Sequence, residues 1–353
     1  MASDRMMEYY YSMGQDCLRG GSPDDAVAYF KKAANLGTRE AAYEICAIGH
    51  RWETGSDGLE KDEKKAEYCY KISAEYGIVE ANLLLGKLYF RGIAGSGPNP
   101  RKARKALEKA CDGGSAEAAS LLGKMYDEGI MGNVNPGKAF CCYLLAAERG
   151  DSAAMLMTGL FYAQGTSTAK DVSAAEMWIR RGCEKGDPDG KAVLRGFLSV
   201  ACGEYITGAA GRIDPEKAEA MAEEAEALGS KEAFCRLGEA LLMKKDSPDY
   251  GEKAFQCFKR AARHRVPFAY ARLGLCYEAG IGTAADIRKS VKYYRKSAES
   301  GDPFGMAHLG YALANGEGVR KNEKEAMEWL IRAAMHGDSG AIKVLKEDYN
   351  YTL

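Results

Sequence analysis

Residues 118–150 of the chain read AASLLGKMYDEGIMGNVNPGKAFCCYLLAAERG, and this stretch decides the fold. Its first part carries apolar residues at helical spacing up to Gly129, and glycine readily adopts the left-handed conformation that follows a helix C-terminus. Asn135 and Pro136 then form a helix start, because asparagine caps free backbone N–H groups and proline suits the first turn. A second helix runs to Gly150. The stretch therefore predicts two helices joined by a short loop.

A glycine equivalent to Gly123 returns along the chain at nearly constant spacing. The steps are 35 to 37 residues except for one longer interval, in which Arg195 fills the gap and the next step is 43. The glycines are Gly14, Gly49, Gly86, Gly123, Gly159, Gly238, Gly274 and Gly310. A fixed period of this length indicates a repeat array, in which each unit buries its apolar face against its neighbours. We therefore expect residues 1–353 to form a single continuous array.

Three further features recur in the units. Side chains able to cap the second helix stand at Ser22, Asp62, Asn99, Asn135, Asp171, Asp214, Asp286 and Asn322. Small pairs such as Ala146–Ala147 lie within the second helix, and a bulky residue such as Tyr126 stands three positions after most of the glycines. We expect small residues of both helices to face each other, with the bulky side chain beside the contact. The recurring tyrosines are therefore interpreted as core residues.

Two of the repeats carry a recognisable consensus. The matching residues are Leu122, Gly123, Tyr126, Gly129, Lys138, Ala139, Tyr143, Ala146, Ala147 and Gly150, and again Leu309, Gly310, Gly316, Asn322, Ala326, Trp329, Ala333, Ala334 and Gly337. This pattern resembles the Sel-one-like repeat (SLR) family, a branch of the tetratricopeptide-like helical repeats. The resemblance implies an all-α α-solenoid, a right-handed superhelix of about nine antiparallel helix pairs between residues 6 and 340. Residues 341–353 are expected to form a C-terminal capping helix and tail.

The regular spacing fails in the sixth unit. Arg195 replaces the close-packing glycine, and the extra residues are expected in a glycine-rich insertion at 202–213. Insertions in repeat proteins map to loops on one edge, which often carry contacts. A tolerated insertion and a functional loop both remain open interpretations.

The family resemblance implies that the first helices line a concave groove, and the repeat register predicts which residues face it. The predicted groove residues are His50, Lys87, Phe90, Lys124, Leu242, Phe268, Leu275, Phe304 and Tyr311. The N-terminal part of this set is polar and of mixed charge, and the C-terminal part is apolar and aromatic. Exposed aromatic side chains in a groove are typical hot spots for a peptide or helix. Phe268 and Phe304 could equally pack between adjacent first helices.

The resemblance implies an adaptor function, since SLR proteins mostly assemble protein complexes. We therefore expect a non-catalytic scaffold that binds a protein or peptide in the groove, without cofactor or metal. The alternative is a hydrolase acting on peptides or cell-wall fragments. Catalysis requires a nucleophile, a base and an orienting group in one pocket. The four histidines, His50, His264, His308 and His336, share no unit with such a set in repeated register.

The composition of the chain limits the classes of partner and the compartment that we expect. The formal net charge of −1 argues against nucleic acid, because phosphate neutralisation usually requires a basic excess. One basic stretch, Arg101 to Lys109, is better explained as a solvated convex helix. No apolar run is long enough to span a membrane, and Met1 to Gln15 does not resemble a secretory signal. These features predict a cytoplasmic protein, and delivery into a host cell without a signal peptide stays open.

The eleven cysteines show no spacing that recurs from unit to unit. The resemblance also implies that a secreted branch of the SLR family bridges each repeat by a pair of cysteines nine positions apart, counting both, but here Ala119 stands at that distance from Cys111 and Lys191 from Cys183. Most of the cysteines fall at small or apolar helix positions, where a reduced thiol behaves as a small hydrophobe. We therefore favour reduced core thiols over a disulfide framework.

Overall fold

The computed structural model describes residues 2–130, 132–244 and 248–351, and these residues form nineteen α-helices. The first helices of successive pairs are α1 (Ala2–Arg19), α3 (Arg39–Thr54), α5 (Val79–Arg91), α7 (Ala116–Asp127), α9 (Ser152–Gln164), α11 (Gly190–Thr207), α13 (Ala233–Met243), α15 (Pro267–Ala279) and α17 (Pro303–Asn315). The second helices are α2 (Pro23–Asn35), α4 (Glu63–Glu75), α6 (Pro100–Asp112), α8 (Pro136–Glu148), α10 (Val172–Glu184), α12 (Pro215–Ala227), α14 (Pro248–Arg263), α16 (Ile287–Glu299) and α18 (Glu323–Met335). The chain continues into α19 (Ser339–Asp348). The all-α prediction of nine helix pairs plus a final helix is confirmed.

Two compact units make up the chain. The first consists of Met1–Lys170 and Met177–Asp187, and the second of Asp171–Glu176 and Pro188–Leu353. From α1 to α9 in the first unit and from α11 to α19 in the second, each helix packs against the next one along the chain, which is the arrangement of an α-solenoid. That residues 1–353 form one continuous array stays a prediction. The final helix begins at Ser339, and residues 352 and 353 of the predicted tail lie outside the described residues.

Side-chain caps begin most second helices as the sequence predicts. The side chains of Asp62, Asn99, Asn135, Asp171, Asp214, Asp286 and Asn322 each accept a hydrogen bond from a backbone N–H in the first turn. Each such cap stabilises the protein by about 1 kcal/mol. The prediction for Ser22 is wrong, because its side chain makes no cap hydrogen bond. Asp24 and Asp25 in the first turn of α2 still stabilise the helix, because their negative charges lie near the positive end of its dipole.

The recurring glycines mark the contact between the two helices of a pair. A Cβ added to Gly274 would lie 2.5 Å from Cε1 of Tyr294, and one added to Gly86 would lie 2.5 Å from Leu107. The large side chains that fill this position on the second helices are Phe30, Tyr70, Leu107, Tyr143, Phe258, Tyr294 and Leu330. The expectation that small residues of both helices face each other is therefore wrong at this contact. The glycine makes room for a large buried side chain of its partner helix.

Cys202, and not Arg195, occupies the glycine position of the sixth pair. The left-handed Gly208 ends α11 six residues after Cys202, as Gly280 ends α15 six residues after Gly274. The backbone N–H of Asp214 donates to the carbonyl of Tyr205 at 2.9 Å, and the equivalent bond in the eighth pair joins Asp286 to Tyr277 at 2.8 Å.

This register corrects the predicted insertion at 202–213. The segment from Gly208 to Asp214 is a loop of ordinary length, and the extra residues lengthen the N-terminal half of α11, which has 18 residues against 13 in α9 and α15. Arg195 lies exposed in that half. Ala222 stands eight residues after its cap, where Tyr294 stands in α16. A larger residue on α11 therefore accompanies a smaller one on α12, and both Cys202 and Ala222 are fully buried.

Replacing a packing glycine tests the contact. Gly274→Ala places a methyl group against the ring of Tyr294, which is 2% exposed, and we expect a loss of about 1–3 kcal/mol of unfolding free energy. Gly196→Ala in the same unit is the control, because a Cβ there meets nothing within 4 Å. In a helix it should stabilise by about 0.5–1 kcal/mol. Urea denaturation measures both, and shifts of equal sign would contradict the contact.

A double substitution tests the register of the sixth pair. Ala222→Tyr alone should overpack the contact with α11 and destabilise the protein by about 2 kcal/mol. Adding Cys202→Gly should restore at least about 1 kcal/mol, since it recreates the regular glycine and ring. Adding Arg195→Gly instead should restore nothing. Urea midpoints measure the stability of each variant. Rescue by Arg195→Gly rather than by Cys202→Gly would show that Arg195 occupies the glycine position of the sixth pair.

Candidate functional site

All nine predicted groove residues lie on first helices. His50 is on α3, Lys87 and Phe90 are on α5, Lys124 is on α7, Leu242 is on α13, Phe268 and Leu275 are on α15, and Phe304 and Tyr311 are on α17. Four of them therefore belong to the first unit and five to the second. The two groups differ in chemistry.

The first-unit residues are polar and paired, except for Phe90. The ammonium group of Lys87 lies 2.5 Å from a carboxylate oxygen of Glu117, and that of Lys124 lies 3.8 Å from Glu128. His50 Nδ1 lies 3.9 Å from Glu53. These side chains are at least one-third exposed, and exposed ion pairs contribute little free energy. Phe90 is half-buried and packs against the core of its unit.

Two of the second-unit residues, Phe268 and Phe304, contact an arginine. We call Glu239, Phe268, Arg272, Phe304 and His308 the Arg272 cluster. Arg272 makes two contacts with Glu239, of 2.6 Å from Nε and 3.0 Å from Nη2. Its guanidinium carbon lies 4.6 Å from the ring centre of Phe268 and 5.5 Å from that of Phe304. The arginine therefore links α13, α15 and α17, and its planar group stacks on aromatic faces.

His308 continues the cluster along α17. Its ring centre lies 4.2 Å from that of Phe304 and 4.8 Å from that of Tyr294 on α16. Nδ1 lies 3.9 Å from a carboxylate oxygen of Glu278, which also accepts a hydrogen bond from the hydroxyl of Tyr294. Burial lowers the pKa of the His308 imidazole, and the nearby negative charge of Glu278 opposes this effect. Burial outweighs it, so the neutral ring is favoured in the folded protein.

The cluster presents apolar surface on the first helices. Phe268 and Phe304 are half-buried, and so are the neighbouring Leu242, Leu275 and Tyr311. Phe268 lies on the same helix as Arg272 and Phe304 lies on α17, and each ring contacts the guanidinium while part of its surface stays open. That these rings bind a partner stays a prediction. Glu239 already pairs with the guanidinium of Arg272. What the cluster offers a ligand is ring and aliphatic surface held by a fixed arginine.

The sequence interpretation missed Arg272 and recognised His308 only as a packed residue. A signal was present two positions before the repeating glycine. Leu84, Leu121 and Met157 are apolar there, whereas the last three pairs carry Arg236, Arg272 and His308. A change from apolar to charged or aromatic-polar residues at one repeat position marks where adjacent first helices exchange polar contacts.

Three histidines have carboxylates as polar neighbours. They are His50 with Glu53, His264 with Glu226 at 2.8 Å, and His308 with Glu278. Within the residues that the structure describes, no group of three histidine, cysteine, aspartate or glutamate side chains is placed to hold a metal ion.

The cysteines are in the reduced state. All eleven cysteines are free thiols, six of them buried, as the sequence predicts. Burial raises the pKa of the buried thiols, for example that of Cys202 to about 12.

Over the described ranges, no helix combines the length and apolar character needed to cross a bilayer.

Comparison with protein families gives a match over most of the chain. A model described as Sel1 repeat matches residues 1–38, 39–77, 79–115, 116–151, 152–187, 236–265, 267–302 and 303–338. The unmatched stretch, 188–235, contains α11 and α12, the pair in which Cys202 replaces the glycine.

Individual proteins show the same likeness. The chain is 32% identical over 156 residues to YjcO, a Sel1-repeat-containing protein of Escherichia coli, and the match spans 43% of this chain and 62% of that protein. Among solved structures, a protective antigen of uropathogenic Escherichia coli with an SLR fold, c5321, is 23% identical, with 98% and 80% coverage and a TM-score of 0.43. A Sel1 repeat protein from Oxalobacter formigenes is 20% identical, with 98% and 87% coverage and a TM-score of 0.47.

The buried imidazole of His308 predicts a pH effect. Because its pKa is lower in the folded than in the unfolded protein, its contribution to stability is complete above the unfolded value of about 6.5. This contribution is lost as the pH falls through the folded pKa. His308→Asn should therefore reduce the loss of unfolding free energy between pH 7.5 and 5.5. His336→Asn, at an exposed histidine, is the control. Equal pH dependence of His308→Asn and the unsubstituted protein would contradict the assignment.

Proposed function

This chain belongs to the Sel1 repeat family, and we propose that it is a non-catalytic scaffold whose second unit binds a protein or peptide on its first helices. Proteins of this family generally act as protein-interaction scaffolds. The Arg272 cluster carries the finer proposal, because it concentrates half-buried rings on adjacent first helices.

The bound segment should carry apolar anchor residues. Arg272 is held by Glu239 through two short contacts, so an acidic ligand would have to displace that carboxylate. Aromatic and aliphatic side chains meet no such competition on Phe268, Phe304 and the neighbouring leucines. Binding energy in protein interfaces concentrates on a few such residues around a rigid centre. The arginine supplies rigidity by holding both rings.

The first-unit groove residues should contribute less. Lys87 and Lys124 already pair with carboxylates, and their exposure reduces what a further ionic contact adds. We assign His50, Lys87, Phe90 and Lys124 a role in orientation of the partner at most. The hydrolase alternative gains no support from the histidines, since the carboxylates beside them orient a base but supply no attacking hydroxyl or thiol.

A reducing compartment fits the chain, and we propose the cytoplasm. Eleven free thiols, six of them buried in packed helices, would be unusual in an oxidising environment.

Peptides selected from a random twelve-residue displayed library against the full chain test the binding surface. A selected peptide, synthesised with a fluorescent label, should bind Phe268→Ala and Phe304→Ala at least about tenfold more weakly than the unsubstituted protein, since truncation of a hot-spot ring costs about 2 kcal/mol or more. Fluorescence anisotropy measures the affinity.

The matched control is Trp329→Ala on the second helix α18. Its ring also lies half-buried under an arginine, 4.8 Å from Arg332, in the same unit. It should bind the peptide with unchanged affinity. Full binding by both phenylalanine variants, or equal loss in Trp329→Ala, would refute the proposed surface, and thermal unfolding of each sample separates loss of binding from loss of fold.

A further inference from the structure

A cleft in the first unit has a chemistry that the predicted groove residues lack. It has a volume of about 410 Å³ and lies between α4, α5 and α6. We call it the α4–α6 cleft and define it by Lys71, Asn82, Lys102, Lys105 and Lys109. Leu85, the small residues Ala74 and Ala106, and the carboxylate of Glu75 also line it. The cleft therefore carries four lysines against one carboxylate, over a partly apolar floor.

Among the described residues, three of these lysines lack the carboxylate partner that Lys71 and Arg104 have. Lys71 pairs with Glu67 at 2.6 Å, and Arg104 lies 3.6 Å from Glu108. In the described part of the chain, no carboxylate lies within ion-pair distance of Lys102, Lys105 or Lys109, and all three are exposed. Like charges three and four residues apart destabilise a helix by about 0.2–0.5 kcal/mol per pair. Helix α6 bears this cost on the face that rims the cleft.

A buried asparagine lies at the floor of the cleft. Asn82 is 7% exposed and stands four residues before Gly86, a position that Ile45, Ala119 and Met155 fill in other pairs of this unit. Its Nδ2 donates to the carbonyl of Ile78 at 3.3 Å. A buried amide among core positions costs free energy unless its polar atoms are satisfied. Nδ2 carries two N–H groups, and the one that does not donate to Ile78 is available as a donor at the lining of the cleft.

We propose that the α4–α6 cleft binds an acidic helical segment of a partner protein. Lys102, Lys105 and Lys109 follow one face of α6 over about 10 Å, at a rise of about 1.5 Å per residue. Carboxylates at positions i, i+3 and i+7 of a helix lying along the cleft would match this row. The apolar floor would accept the aliphatic side chains between them, as in other helix-in-groove complexes.

The same features disfavour a nucleic acid strand. Single strands need open aromatic faces for base stacking as well as cations. Tyr89, the ring at this cleft, is 7% exposed and its hydroxyl donates to Glu67 at 2.7 Å. The cleft and the Arg272 cluster lie in different units and share no residue, so this inference stands independently of the proposed function.

Charge reversal on α6 tests the cleft. In the double variant Lys102→Glu/Lys105→Glu, the first introduced glutamate stands three residues after the cap Asn99, where an acidic side chain is favoured. The second stands four residues from both Arg101 and Lys109, which favours ion pairs, but three residues from the first, which opposes them. Lys102 also lies 5.3 Å from the ring centre of Tyr89, so thermal unfolding of the variant is measured and binding is compared well below its unfolding temperature.

The probe is a labelled twenty-residue helical peptide of alanine, leucine and glutamate, with glutamates along one face, and its glutamine counterpart. The full chain should bind the glutamate peptide, more weakly as salt rises, and should not bind the glutamine peptide. Lys102→Glu/Lys105→Glu should weaken binding at least tenfold. Lys343→Glu/Lys346→Glu on α19 changes net charge equally, with the same spacing, and should change affinity less than twofold.

Three results would overturn the proposal. They are absence of binding to the glutamate peptide, equal loss of affinity in the α19 variant, and tighter binding of a twenty-residue thymidine oligonucleotide than of the peptide. The last result would assign the cleft to nucleic acid. Asn82→Leu gives an independent check of the floor, since it removes the amide that lines the cleft and should weaken peptide binding, and thermal unfolding separates this effect from loss of fold.

Discussion

The close contact between a glycine on the first helix and a large side chain on the second underlies the rest of the structure. A Cβ at Gly274 or Gly86 would stand 2.5 Å from its neighbour, so the two helix backbones approach as far as they do only because that atom is missing. The contact recurs in successive pairs. It determines which face of each first helix and which face of each second helix stay open to partners.

The sixth pair shows how this contact can change without loss of packing. Cys202 adds volume on α11 where glycine is the rule, and Ala222 removes it on α12 where a ring or leucine is the rule. The two helices still pack and their loop keeps its length, because interiors respond to total volume at a contact more than to the identity of either side chain. The family model leaves this pair unmatched.

Functional character lies in residues that the contact leaves free to vary. On the first helices of the second unit, Arg272 joins three helices and holds two half-buried rings. On the second helices of the first unit, α6 carries exposed lysines beside a buried asparagine. The first surface is apolar with a neutralised arginine, and the second is cationic. The two proposed surfaces would take partners of different chemistry, because they offer different groups to a ligand.

The sequence by itself determined the helices, seven of the eight predicted second-helix caps and the place of each close contact except one, since capping and glycine packing act between residues near in the chain or in regular register. Only the tertiary structure decided the register of the sixth pair, because a step of 43 residues is compatible with extra length on either side of the contact. The pairing of Arg272 with Glu239 and the cleft between α4 and α6 also required it. These join residues about one repeat apart, and their contact depends on how neighbouring pairs stack, which no local pattern encodes.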